Sequence, residues 1–166
     1  MIGLAGSALT FGAFDRLHIR HLPGHIGVVL LAALLVARLG TGNRLGALGG
    51  AAGALPGAVW LGGDPLQGLG LVAAGVIVDV QLNALPWSSA GRLRWAVALP
   101  SLIVAGALGN TAILALKVLT AHVPQAAQTQ GIGFTAASYL VFGGLGGLLA
   151  LPAATIHARG RPSDTM

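Results

Sequence analysis

Long apolar stretches separated by short charged segments constrain this chain more than any other feature. The stretch 95–121 contains one charged residue, Lys117, and the stretch 134–156 contains none. A membrane-spanning helix needs about 20 mostly apolar residues. Only 8% of all residues are charged, against about 25% in a soluble domain. Because so few charges cannot cover a water-facing surface, the sequence predicts that lipid is the solvent.

Turn and charge signals divide these stretches into six predicted spans. Pro23-Gly24 marks a turn before the second span, and Asp64-Pro65 suits the N-cap and first turn of the fourth. The predicted fold is all-α, a single polytopic membrane domain over residues 1–166 folded as a six-transmembrane-helix bundle. The spans are expected at about 2–17, 26–39, 45–61, 65–85, 95–121 and 134–156.

The distribution of arginine predicts how this bundle is oriented. Lys and Arg collect on cytoplasmic loops of membrane proteins. With a cytoplasmic N-terminus, six arginines fall on the inner side and two on the outer side, so we expect both termini to be cytoplasmic. The same rule accounts for the net charge of +5, and we expect no nucleic-acid partner. The inner set is Arg38, Arg44, Arg92, Arg94, Arg159 and Arg161, and the outer set is Arg16 and Arg20.

Glycines at helical spacing predict close helix packing in two spans. The third span carries Gly46, Gly50, Gly53 and Gly57 on one face. The sixth span carries a similar face. Glycine lets another helix backbone approach closely, which favours association inside a membrane. On the sixth span this face of small residues consists of Gly143, Gly147, Ala150 and Ala154, with Tyr139 one turn outward.

Polar residues within spans are costly in lipid and are often functional. In the fourth span Asp79 shares a face with Asn83, and in the fifth Asn110 shares a face with Lys117. Each also has a structural interpretation. Lys117 would extend to the outer headgroups, Asn110 would form an interhelical hydrogen bond, and Asp79 would pair with an arginine or with Asn83. The predicted depths put Asn110 near mid-membrane, Lys117 near the outer surface and Asp79 in the cytoplasmic third.

The first outer loop holds the densest group of polar residues. His18, His21 and His25 are spaced three and four apart. Three imidazoles could bind a divalent metal, or they could contact an organic solute. Pro23-Gly24 interrupts the helix that would align them, and no carboxylate lies among them. A metal site is therefore not predicted, although nickel or cobalt uptake remains an alternative.

Catalytic motifs are absent from the sequence. There is no Gly-x-Ser-x-Gly, no His-Glu-x-x-His and no phosphate-binding Walker motif. The chain contains no glutamate and only four aspartates, which leaves little material for paired acid–base chemistry. We expect neither an enzyme nor a cofactor, and any energy from ATP would have to come from a partner.

Three segments carry a resemblance to a known family. They are His21-Leu-Pro-Gly-His25 after a short first span, Arg44-Leu-Gly-Ala-Leu-Gly-Gly-Ala-Ala-Gly53, and Gly62-Gly-Asp-Pro-Leu-Gln67. In this pattern the chain resembles the substrate-binding S component of an energy-coupling factor (ECF) transporter. The resemblance implies a six-helix bundle in a prokaryotic cell (inner) membrane that captures a small, water-soluble, vitamin-like solute from outside. It also implies docking on a transmembrane coupling subunit driven by two ATPase subunits.

The resemblance further implies which residues bind each partner. Small residues four apart on the first helix would contact the coupling subunit, and the nearest matches are Gly3 with Ser7 and Ala8 with Gly12. A non-transport membrane assembly protein, whose glycine faces pack a larger complex, is the other alternative. The expected solute site draws on the first outer loop and on spans three to six, and it comprises His18, Arg20, His21, Trp60, Asp64, Asn110, Lys117 and Tyr139.

Overall fold

The computed structural model describes residues 23–41, 43–53, 56, 65–85 and 95–152. Within these ranges the chain is helical and has no β-strand, which confirms the predicted all-α class. Four helices are long and two are short. They are α1 (Ile26–Thr41), α2 (Gly46–Ala52), α3 (Pro65–Asn83), α4 (Trp95–Leu119), α5 (Gln125–Gln130) and α6 (Ile132–Leu149).

Two helical segments are long and apolar enough to cross a membrane, Val97–Leu119 and Ile132–Leu149. Two more are apolar but shorter, Ile26–Thr41 and Gly68–Asn83. The sixteen residues of α1 extend about 24 Å at 1.5 Å per residue, somewhat less than the roughly 30 Å of hydrocarbon in a bilayer.

The six predicted spans are therefore only partly covered by the described helices. The second, fourth, fifth and sixth correspond to α1, α3, α4 and α6. The third, expected at 45–61, is described as a helix only over Gly46–Ala52, and the first, at 2–17, lies outside the described residues. The polar segment after the fifth span contains the short helix α5, which the sequence pattern did not predict.

Helix α4 runs antiparallel to α6, and glycines bring the two backbones together. A Cβ atom at Gly106 would meet the backbone of Gly143 and Gly147, and one at Gly147 would meet the backbone of Leu102. Such contact leaves no room for a side chain, which is the packing expected between helices in lipid. Gly143 and Gly147 belong to the predicted glycine face of the sixth span, so that face is confirmed as a packing surface within the chain.

Helices α1 and α6 run parallel. At the start of α1, Gly24 lies against Tyr139, and further along, Gly146 lies against Val28 and Leu31. Gly146 therefore uses a second side of α6, next to the face that contacts α4.

Helices α2, α3 and α4 complete an alternating arrangement. Helix α3 is antiparallel to α4, because Gly70 lies beside Ile113 and Val78 lies beside Gly109. Helix α2 is antiparallel to α3, because its N-terminal residues bind Asp79 while its later residues contact Gly75. Thus α1, α3 and α6 point one way, and α2 and α4 point the other.

Charged and polar side chains are buried in this bundle, while large apolar side chains cover its outside. The buried polar residues are Arg38, Asp79, Asn110 and Thr135, each with at most 5% of its surface exposed. The two charged members of this set, Arg38 and Asp79, meet the usual condition for burial because they form an ion pair. The exposed apolar residues of the long helices include Val36, Val76, Val80, Val104, Leu108, Leu140, Val141, Leu145 and Leu149.

Candidate functional site

Two groups of polar residues lie between the helices, one near each end of the bundle. The ionic cluster consists of Arg38, Asp79, Asn83 and Arg44, and it joins α1, α2 and α3. The asparagine junction consists of Gly24, Asn110 and Tyr139, and it joins the start of α1 to α4 and α6.

The centre of the ionic cluster is a buried ion pair. Arg38 Nε lies 3.2 Å from Asp79 Oδ1, and the two side chains expose 6% and 2% of their surface. The contact at Nε is an ion pair rather than an aligned hydrogen bond. A charge in such a setting is stable only with a partner, since removal of either leaves an uncompensated buried ion.

Asn83 extends this cluster to the surface of the bundle. Arg38 Nη2 donates to Asn83 Oδ1 at 2.7 Å, and Asn83 Nδ2 donates to the carbonyl oxygen of Arg44 at 2.9 Å. Because Asn83 and Arg44 are exposed while Arg38 and Asp79 are buried, the cluster leads from the bundle interior to its rim.

Asp79 also caps a helix from a distance of more than thirty residues in sequence. The backbone N–H of Ala47 donates to Asp79 Oδ1 at 3.1 Å, and that of Leu48 donates to Oδ2 at 2.8 Å. The first N–H groups of a helix lack intrahelical acceptors, and a carboxylate satisfies both their hydrogen bonds and the positive end of the helix dipole. Leu45 occupies the N-cap position of α2, and its apolar side chain cannot accept a hydrogen bond from these N–H groups.

The asparagine junction is built on one fully buried amide. Asn110 Nδ2 donates to the carbonyl oxygen of Tyr139 at 2.8 Å and to that of Gly24 at 3.2 Å. Both hydrogens of the amide are therefore used within the protein. The expected interhelical role of Asn110 is confirmed by this geometry, whereas a contact between Asn110 and a solute stays a prediction.

Glycine is required where the chain enters this junction. Gly24 has a φ of +80°, which L-residues with a side chain adopt at a cost. A Cβ atom there would lie 2.8 Å from Cδ2 of Tyr139. Gly27, one turn later, lies directly against the side-chain amide of Asn110. The Pro23-Gly24 turn signal thus marks a site where α1 begins and the backbone must approach two other helices.

Lys117 lies on the same face of α4 as Asn110, seven residues nearer the C-terminus. At 1.5 Å per residue the two Cα atoms are separated by about 10 Å along the axis. Lys117 is half-buried, Tyr139 is buried and Asn110 is fully buried. The structure therefore brings Asn110 and Tyr139 together, and it sets Lys117 two turns further toward the end of the bundle.

The other residues expected at the solute site or at the coupling surface lie outside the described residues. They are His18, Arg20, His21, Trp60 and Asp64 for the solute, and Gly3, Ser7, Ala8 and Gly12 for the coupling subunit. Among the described residues no three His, Asp or Glu side chains come together as a metal site would require. His25 instead contacts Phe142 edge to face, with 6.4 Å between ring centroids.

Sequence reasoning missed the position of Arg38. It was assigned to the cytoplasmic side as an orienting charge, but it lies inside α1, buried against Asp79. A signal was present, since Leu31, Leu34 and Arg38 follow the spacing of one helix face. The expected pairing of Asp79 with an arginine is confirmed, and the arginine is Arg38.

Comparison with protein-family models, with curated proteins and with solved structures finds no match for this chain. The functional argument therefore depends on the geometry above.

Proposed function

We propose that the chain is a multi-pass protein of a prokaryotic cell membrane. The observation that carries this proposal is the charge of the four long helices. Helices α1, α3, α4 and α6 contain three charged residues, and none of the three is exposed. Arg38 and Asp79 neutralise each other in the interior, and Lys117 is half-buried near the end of α4. A surface that is apolar over these helices suits lipid and would be unstable in water.

The alternating directions of the helices agree with successive crossings of a membrane, and the arginine distribution sets which end is proposed to be inside. Six spans with both termini inside require the second, fourth and sixth to run inward, and the third and fifth to run outward. Helices α1, α3 and α6 share one direction, while α2 and α4 share the other. In this orientation the ionic cluster is at the cytoplasmic end, and the asparagine junction and Lys117 belong to the outer half.

Within this frame the function is solute capture for an ATP-driven importer of the ECF type. The chain would bind a small vitamin-like solute from outside and associate with a transmembrane coupling subunit and two ATPases. The outer half offers an aromatic ring, an ammonium group and a fixed amide in Tyr139, Lys117 and Asn110. Because the amide of Asn110 already binds two backbone carbonyl groups, it shapes the site in this proposal, and the half-buried Lys117 contacts the polar solute.

The geometry gives less support to the assembly-protein alternative. That alternative needs glycine faces that are open to another protein. On α4 and α6 the glycines at 106, 143, 146 and 147 are already in contact with helices of the same chain. These glycines therefore already pack against helices of the same bundle.

Thermal unfolding of the purified protein in detergent, with and without a panel of vitamins, amino acids and divalent metals, tests the capture function. We expect one water-soluble organic solute to raise the melting temperature. Lys117→Met should weaken that shift, while Gln130→Ala, an exposed residue of α5, should not. No shift with any compound would contradict capture, and a shift with nickel or cobalt alone would favour the metal alternative.

Co-purification tests whether the chain associates with a coupling subunit and ATPases. The full chain, extracted gently from its native membrane, should carry a coupling subunit and ATPases with it. A tryptophan in place of Gly12 should reduce their recovery, because a large side chain would block the expected helix contact. Recovery of the chain alone from membranes that contain an ECF coupling module would contradict the assignment.

A further inference from the structure

The segment 43–53 is attached to the bundle through close packing of small residues and through polar contacts. Its buried residues are Gly46, Ala47, Ala51 and Gly53, and glycine and alanine bury little apolar surface. Leu45 has 58% of its surface exposed. Helix α2 has only seven residues, too few to be stable alone. Polar contacts therefore supplement a small apolar interface in holding this segment in position.

Four backbone N–H groups at the start of α2 find their acceptors in two places, two within the segment and two on α3. The N–H of Gly46 donates to the carbonyl oxygen of Asn43, and the N–H of Gly49 donates within the segment to that of Leu45. The two donors between them, on Ala47 and Leu48, donate to the carboxylate of Asp79 on α3. The start of the helix is therefore complete only when it is docked on Asp79.

We propose that Asp79 is a latch that holds segment 43–53 against α3, and that this segment can detach while the four long helices stay packed. Arg38 is a positioning residue, since its Nε lies 3.2 Å from Asp79 Oδ1, the same oxygen that accepts from the backbone N–H of Ala47. The long helices are joined to one another elsewhere, through the glycine contacts of α4 and α6 and through Asn110. Release of the latch opens the bundle at the end where the ionic cluster lies.

One double variant separates two roles of Asp79, which are to neutralise Arg38 and to hold segment 43–53. Apolar replacement of both members of a buried ion pair is often neutral or stabilising for the protein as a whole. Arg38→Met with Asp79→Leu should thus leave the long helices stable. The same double variant removes both acceptors from α2, so the latch predicts a loss of protection confined to segment 43–53.

Hydrogen exchange on the full-length protein in lipid nanodiscs measures this at the amides of residues 49–52, because their acceptors lie within the segment and they lose protection only if the segment opens. In the double variant, exchange over 43–53 should accelerate about tenfold or more, with α4 and α6 unchanged. Asn83→Ala is the matched control. It removes two hydrogen bonds of the ionic cluster, one of them to the carbonyl oxygen of Arg44 in the segment, but leaves the carboxylate on α2. Exchange over 43–53 should therefore accelerate much less than in the double variant.

Two results would overturn the proposal. Unchanged exchange over 43–53 in the double variant would mean that Asp79 serves only to neutralise Arg38. Acceleration of the same size in α4 and α6 would mean that the segment has no independence from the bundle. Asp79→Leu alone leaves Arg38 uncompensated and is expected to misfold, which is why the charge-neutral double variant carries the test.

Discussion

Asn110 Nδ2 lies 2.8 Å from the carbonyl oxygen of Tyr139, so a side chain of α4 binds directly to the backbone of α6. The same nitrogen binds the carbonyl oxygen of Gly24 at the entry to α1. A single buried amide therefore links α4 to α6 and to the turn that leads into α1.

Replacement of Asn110 by alanine should destabilise the bundle by about 1–2 kcal/mol, because the two hydrogen bonds that join α4 to Tyr139 and to Gly24 are lost. Unfolding of the purified protein in a mixed-micelle titration measures this. Thr111→Ala is the control, since the Thr111 hydroxyl donates only to Ala107 of its own helix. Equal stability of the two variants would mean that the junction contributes nothing.

Gly24→Ala should be more destabilising than Gly131→Ala, although both glycines have positive φ. Gly24 has a φ of +80° and Gly131 a φ of +90°, so each alanine is strained by roughly 1–2 kcal/mol. Nothing lies within 4 Å of a Cβ at Gly131, whereas one at Gly24 would press on the Tyr139 ring. A greater loss at Gly24 reports the ring contact, because Gly131, with φ +90° and ψ +151°, lies in a backbone region that is at least as costly for alanine. Equal losses would place Tyr139 away from Gly24.

Gly106→Ala should push α4 and α6 apart and cost about 1–3 kcal/mol or more, because the new methyl group would meet the backbone of Gly143. Gly133→Ala, in the first turn of α6, has open space around it. That substitution should be neutral or stabilising by up to about 1 kcal/mol, because alanine favours a helix over glycine. Parallel thermal melts of the two variants check both signs, and a neutral Gly106→Ala would contradict the close packing.

Periodic features of the sequence predicted a substantial part of this fold. The apolar stretches predicted α1, α3, α4 and α6 to within a few residues, except that the described part of α6 ends earlier than expected. The glycine spacing of the sixth span predicted its packing face, and Tyr139, Gly143, Gly147 and Ala150 are all buried. These features succeed because helix geometry converts sequence spacing directly into a shared face.

Partners that are distant in sequence were less predictable. Asp79 was expected to pair with an arginine, but its bonds to the backbone of α2 were not, since any helix start offers the same N–H groups. Asn110 was expected to bond between helices, but its acceptors are backbone carbonyls, which every residue carries. The choice among such groups is made by tertiary packing, and a residue pattern does not encode it.

Orientation of the chain across a cell membrane is most directly tested by single-cysteine labelling, since the natural sequence has no cysteine. Cysteine is placed at Gln130, in the segment between α4 and α6, or at Ala84, just after α3; both positions are exposed. Intact cells are treated with a membrane-impermeant maleimide. We expect Gln130→Cys to be labelled at once, and Ala84→Cys only after the membrane is opened. Labelling of both positions in intact cells, or of Ala84→Cys alone, would contradict a bundle that crosses the membrane with its ionic cluster inside.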